Sequence, residues 1–198
     1  MTIPAFTFIL RGSLSLALIA AAGLAHAQET AMRTVDHQDY QLQVPANWES
    51  FDSEAPDGGL VQIFYDPDLK ASSRQCMLES AAHKLTADQL DNQSMKSAWR
   101  QSKWTEVLPH IAAAQQVVMK ESSYSRNGNG QAQHVGEFTF YTSQFFWQSR
   151  SYVMHSANRL LNLTCSASSH NSPEDAGKAF QQIRPLISRI ANSISQAR

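Results

Sequence analysis

Apolar and polar residues alternate with period two along much of the chain, the period that sends successive side chains to opposite sides of a strand. In "DYQLQVPANWESF", Tyr40, Leu42 and Val44 alternate with glutamines up to Pro45, which predicts an opening strand ended by the proline, with Trp48 packed back on the core. "APDGG" supplies turn residues, "LVQIFYDP" a second strand and "QCMLESAAHKL" a third. The period then changes. Thr86, with Gln89 three residues on, forms a capping-box pattern ahead of "ADQLDNQSMKSAWRQSKW", where Leu90, Met95 and Trp99 fall on the inner side of a helix. Pro109 interrupts the next segment, so "WTEVLPHIAAA" reads as a loop with a short helical piece.

The second half returns to period two. "AQQVVMKESSYSRNGNGQAQHVGEFTFYTS" is a hairpin signal, because "NGNG" tolerates positive φ between two long β-like runs. "SYVMHSANRLLNLTCSAS" predicts another strand pair, broken at Ala157 and Asn158. The chain closes on "SPEDAGKAFQQIRPLISRIANSI", with Ser172 as N-cap, Pro173 at the first helical position and Glu174 and Asp175 in the first turn. Phe180, Ile183, Ile187, Ile190 and Ile194 recur at helical spacing, and Pro185 should kink this helix. Strands grouped rather than alternating with helices predict an α+β fold, a central antiparallel sheet flanked by helices.

Before these elements, residues 1–27 carry Arg11, an apolar stretch over 14–24 and Ala25-His26-Ala27, the small-x-small pattern of a signal-peptidase site. The apolar stretch is too short to span a bilayer, and no later segment approaches the roughly 20 residues that spanning needs. The expectation is a cleaved signal peptide, export to the periplasm, and one α+β domain over 28–198 without a transmembrane segment. Removing 27 of the 198 residues leaves 171, which suits one domain. The formal charge of −1 falls to about −2 without Arg11, which disfavours nucleic acid and anionic membranes as partners. Both cysteines, Cys76 and Cys165, lie in the exported part; an even count in an oxidising compartment favours a disulfide over two free thiols.

Taken together, "YQLQVPANWESF", the helix after the third strand, the long hairpins, "RSYVMHSANRLLNLTCSAS" and the closing "AFQQIRPLI" resemble the PsbP-like superfamily, which includes photosystem extrinsic subunits, Ran-binding Mog proteins and small bacterial periplasmic proteins. The resemblance implies a central antiparallel sheet flanked by helices and binding roles rather than catalysis. It carries no catalytic residue over to this chain, and fold analogy does not settle function.

Residue chemistry points the same way. A two-residue turn at Ala157 and Asn158 would pair His155 with Leu160, Met154 with Leu161, Tyr152 with Leu163 and Arg150 with Cys165. His155 then lies on the opposite face from Cys165 and roughly 16 Å along the strand, beyond proton-transfer reach. The histidines His37, His83, His110, His134, His155 and His170 are scattered without metal-ligand spacing, and no G-x-S-x-G or phosphate loop occurs, so neither a metal nor a cofactor is expected. Asp66 and Asp68 flank Pro67 without the rest of a calcium loop and read as a turn.

"SQFFWQSR" is harder to explain by core packing, since Phe145, Phe146 and Trp147 cannot all face one side of a strand. Either a bulge or the closing helix covers them, or they join Arg150 as a partner-binding surface of the aromatic-plus-arginine kind. The sequence thus favours a non-enzymatic exported binding module with a protein partner, such as an immunity or adaptor protein for a secreted toxin. The alternative is a periplasmic hydrolase whose site assembles from distant His, Ser and Asp residues such as His134 or His155.

Overall fold

Strand formation follows the alternation closely. In β2 (Tyr40–Pro45) the side chains of Tyr40, Leu42 and Val44 are buried while Gln41 and Gln43 are exposed. The structure is a computed structural model that describes residues 30–37, 40–54, 60–68, 73–82, 104, 115–155 and 159–196. It begins with β1 (Met32–Asp36), then β2, β3 (Glu49–Glu54), β4 (Leu60–Tyr65) and β5 (Arg74–Ala82). Then come β6 (Gln115–Arg126), β7 (Ala132–Tyr141), β8 (Phe146–His155), β9 (Arg159–Ser169), α1 (Pro173–Ser193) and β10 (Ser195–Gln196). Residues 1–27 lie outside the described residues, as does the helix expected before Trp104; Trp104 itself is helical.

Two meanders build a seven-stranded antiparallel sheet of order β3-β4-β5-β9-β8-β7-β6. The first, β3 to β5, runs outward to inward. The second starts at the far edge with β6 and returns strand by strand until β9 lies against β5. That β5–β9 seam joins the two halves of the chain, and at its centre Cys76 faces Cys165 across the ladder and is bridged to it. The β8–β9 register is the one a two-residue turn demands: His155 opposite Leu160, Tyr152 opposite Leu163 and Arg150 opposite Cys165.

On one face of this sheet lies α1. Ser172 caps it, its hydroxyl accepting from the Asp175 N–H at 3.1 Å, and Pro173 opens its first turn. Phe180, Ile183, Ile187, Ile190 and Ile194 are buried against Phe64, Leu78, Tyr152, Met154, Leu161 and Leu163 of the sheet and Tyr40, Leu42 and Val44 of β2. Each such side chain contributes about 1.5–3 kcal/mol through the apolar surface it takes from water. The helix runs unbroken through Pro185; Pro185 and Gln181 are both exposed, so water reaches the region of the carbonyl deprived of its donor. A three-stranded sheet of order β1-β2-β10 joins the same core, with β2 in contact with the helix.

The opposite face of the large sheet carries a second cluster, Trp104 with Phe138 and Val153. Gly136 makes it possible: a Cβ there would come within 2.9 Å of the Trp104 ring. Beside it the face is lined by hydroxyls paired across β8 and β9, Ser149 with Ser166 at 2.6 Å and Ser151 with Thr164 at 2.5 Å. These pairs satisfy buried polar groups that would each cost about 1–3 kcal/mol if left alone.

The described residues are richer in sheet than the expected sheet flanked by helices, holding one complete helix on one face. The strands that the alternation does not predict are β1, β3 and β10. "ESFDSE" of β3 is an edge strand with exposed side chains over 49–53, and a strand without an inner face shows no apolar alternation. The "NGNG" turn does join β6 to β7, and it does more than turn. α1 has no basic residue in its last turn, yet the Ile194 carbonyl at its C-cap accepts from Asn127 Nδ2 at 3.2 Å and Asn129 Nδ2 at 2.8 Å. Asn127 Oδ1 meanwhile accepts from the N–H groups of Asn129 and Gln131 at 3.0 and 2.9 Å. The hairpin tip is thereby fastened to the helix end.

Two measurements check these contacts. The Cys76→Ala/Cys165→Ala double variant opens a loop spanning a sequence separation of 89, and its urea midpoint should report a loss of about 4–5 kcal/mol. Asn127→Ala should lower stability by roughly 1–3 kcal/mol, read as a fall in Tm of about 2–4 °C per kcal/mol. An unchanged Tm would show that the hairpin does not restrain α1.

Candidate functional site

Three aromatic residues in succession are accommodated because the β7–β8 turn sits among them. Thr142 closes the turn, its N–H donating to the Phe145 carbonyl at 2.9 Å. Phe145 belongs to the turn, Phe146 starts β8 on the helix side of the sheet, and Trp147 points to the other side, as alternation requires. All three are half-buried. Neither the helix nor a bulge has to cover the whole run.

The rings form a connected series. Phe145 packs on His170, with ring centroids 3.8 Å apart, and on Trp147 at 5.8 Å. Trp147 lies parallel to Phe140, also at 5.8 Å, and Phe140 continues to Phe138 in the buried cluster under Trp104. On the helix side Tyr141 meets Phe146 directly across the ladder at 4.9 Å. Such pairs add about 0.5–1.5 kcal/mol beyond their buried area and fix ring orientations.

Polar groups around the rings are satisfied within the turn. Trp147 Nε1 donates to Thr142 Oγ1 at 3.1 Å, and the Tyr141 hydroxyl donates to the Ser143 carbonyl at 3.3 Å. His170 Nδ1 lies 3.1 Å from the Gln144 carbonyl, which ties the β9–α1 link to the same turn. Ser143, Gln144 and His170 are exposed at its rim. The result is a set of aromatic edges held on two hairpin strands with little rotamer freedom left.

Arg150 is placed elsewhere. It shares the helix side with Phe146 but lies four residues, about 13 Å, further along β8. There it stands opposite Glu137, with Nη1 and Oε2 3.0 Å apart, and Arg184 of α1 approaches the same carboxylate oxygen at 3.2 Å. Glu121 of β6 completes the network at 3.6 and 3.5 Å from the two guanidinium groups, and Gln148 Nε2 donates to Glu137 Oε1 at 2.8 Å. The Arg150 guanidinium also lies 5.7 Å from the centre of the Tyr152 ring. Burial pushes the Tyr152 phenol above its ordinary pKa, with the Ser188 hydroxyl and Arg150 pulling the other way. Arg150 therefore ties β8 to β7 and β6 through carboxylates that Arg184 of α1 shares, and the aromatic run gathers without it.

The β7–β8 register brings Glu137 to Arg150, and only packing of α1 adds Arg184. The other residues of interest are separated. Cys165 is bonded to Cys76 and so is not a free nucleophile. His134 is buried against Tyr124, and His37 stacks on Tyr40. Asp66 accepts from the Asp68 N–H at 3.1 Å, the turn expected there. Among the described residues, no group of three or more His, Cys, Asp and Glu residues could hold a metal ion, and no helix is long and apolar enough to cross a membrane.

No protein-family profile and no curated protein matches the chain. Solved structures do. The chain is similar to the solution structure of cyanobacterial PsbP from Synechocystis sp. PCC 6803, with a TM-score of 0.58 at 11% identity over 91% of this chain and 99% of that one. Similarity extends to a protein of unknown function from Pseudomonas aeruginosa (TM-score 0.48, 11% identity, 84% and 98% of the two chains). It also reaches LpqN, involved in cell envelope biogenesis of Mycobacterium tuberculosis (0.43, 11%, 87% and 94%). The fold is PsbP-like, as the element order and "YQLQVPANWESF" implied. At this identity the similarity shows the fold alone.

The ion network yields its own test. Arg150→Met leaves Glu137 with Arg184 as a remaining partner, so the expected cost is roughly 1–3 kcal/mol, below the 3–5 kcal/mol of stranding a buried charge. Adding Arg184→Met should cost more than the sum of the single changes, a coupling that a double-mutant cycle in urea reads directly.

Proposed function

We propose that this chain is an exported, non-enzymatic binding module that captures a protein partner through the aromatic end of its large sheet. The observation that carries the reading is the ring series at the 142–145 turn. Phe145, Phe146 and Trp147 are half-buried, Phe145 packed on Trp147 and Phe146 on Tyr141, and the indole N–H is satisfied within the turn. Rigid aromatic anchors give contact area at low conformational cost, which is why they dominate the energetics of protein interfaces.

Other features agree with this reading. A bridged pair of cysteines suits an oxidising compartment, for which the periplasm is the proposed location, reached by cleavage of a signal peptide after Ala27. The one domain proposed for residues 28–198 has a small net charge, which suits neither nucleic acid nor an anionic membrane. The pair best suited to nucleophilic catalysis, Cys165 and His155, is five register positions apart with its sulfur in the bridge. In its specific form the module is an immunity or adaptor protein that neutralises or carries a secreted toxin, a task that asks for affinity and no reacting group.

Pull-down from a periplasmic extract with the tagged mature chain, read by mass spectrometry, compares wild type with Phe145→Ser and Trp147→Ala. A protein retained by wild type should fall at least about tenfold with each variant, the ~1.4 kcal/mol or more expected of a hot-spot ring. Phe145→Ser should keep its Tm within a few degrees, since it changes a half-buried turn residue. Equal retention by all three chains, or capture of nothing by wild type, would sink the protein-partner reading.

A further inference from the structure

The two edges of the seven-stranded sheet are built differently. At one edge, β6 is irregular: its pairing with β7 shifts register twice, between Gln115 and Val118 and between Met119 and Glu121, and Gln116 adopts a positive φ of 52°. Bulges of this kind twist an edge away from any incoming strand. At the other edge, β3 pairs with β4 without interruption from Glu49 opposite Tyr65 to Glu54 opposite Leu60. All five of its side chains over 49–53 are exposed, and Phe51, at 51% exposure, is one of two large apolar residues so exposed among the described residues.

Charge decides what could pair there. The strand carries Glu49, Asp52 and Glu54 and no basic residue. Tyr65 and Gln62 hydrogen-bond to Glu49 and Asp52, but both donors are neutral and leave the charge uncompensated. Arg33 reaches β3 itself only at the Ser50 hydroxyl, at 3.3 Å, and donates to the Trp48 carbonyl just before it, at 3.2 Å. A second copy laid antiparallel on this edge would set acid against acid, which is destabilising across a ladder. A basic strand would meet opposite charges and could cover Phe51 with an apolar side chain.

We propose that the outer edge of β3 receives an extended, lysine- or arginine-bearing segment of another protein as an eighth strand of the large sheet. Main-chain hydrogen bonds supply the affinity of such strand addition, and the side chains of alternate residues supply the choice of partner. The edge lies four strands from β8, about 19 Å away, so it works independently of the aromatic end.

The test uses the mature chain and two fluorescently labelled decapeptides, one alternating lysine and valine and the other glutamate and valine. Anisotropy should show the lysine peptide binding at least about tenfold tighter, and hydrogen exchange should slow at the amides of β3. Phe51→Lys should weaken binding about tenfold at unchanged Tm, while Phe145→Ser should leave it intact, which separates this edge from the aromatic end. The proposal is overturned if neither peptide binds, if both bind equally, if protection falls on β6 or elsewhere, or if sedimentation shows two copies joined through β3.

Discussion

The β5–β9 seam is the contact on which the rest of the structure depends. Strands β3 to β5 and β6 to β9 are each local meanders, and α1 rests mainly on β8 and β9 of the second. Joining them brings Leu78 beside Leu163 and Cys76 beside Cys165, and adds Phe64 and Leu78 to the core in which Phe180, Ile183 and Ile187 are buried. Within the large sheet the seam closes the longest loop, a sequence separation of 89 at its disulfide. A covalent bond at its centre restrains the unfolded chain across that loop.

Around that seam, polar groups settle where α1 sits. Its C-terminal end is held by Asn127 and Asn129 of a hairpin tip, and its middle by Arg184 in the network with Glu121, Glu137 and Arg150. These contacts are directional, whereas burial of isoleucines is not, so they select one orientation of the helix among several that would hide the same apolar surface. On the other face, Gly136 and the paired hydroxyls leave room for Trp104 and satisfy the sheet without large side chains.

The aromatic end and the β3 edge are the parts of the described sheet that stability leaves least explained. Phe145 and Trp147 are fixed by contacts to one another and to His170 rather than by full burial. Strand β3 contributes little to the core, yet it keeps an unbroken register. Regions that carry order without burial are where a surface gains from being held ready for a partner.

Much of this was legible in the residues alone. Period-two runs marked β2, β4, β5 and the four strands from β6 to β9, because each has an inner face that must be apolar. Ser172, Pro173 and the isoleucine spacing marked α1, since capping and the 3.6-residue period act within a few residues. Even the opposition of Arg150 and Cys165 came out of a two-residue turn. The arrangements that the tertiary structure alone decided rest on contacts distant in sequence. Strand β3 has no inner face to announce it, the Asn127 amide caps a helix 67 residues away, and Arg184 joins Glu137 only once α1 is docked. Local chemistry is written in local spacing; the pairing of Cys76 with Cys165 was favoured by compartment, but only the meeting of two meanders put the sulfurs within bonding distance.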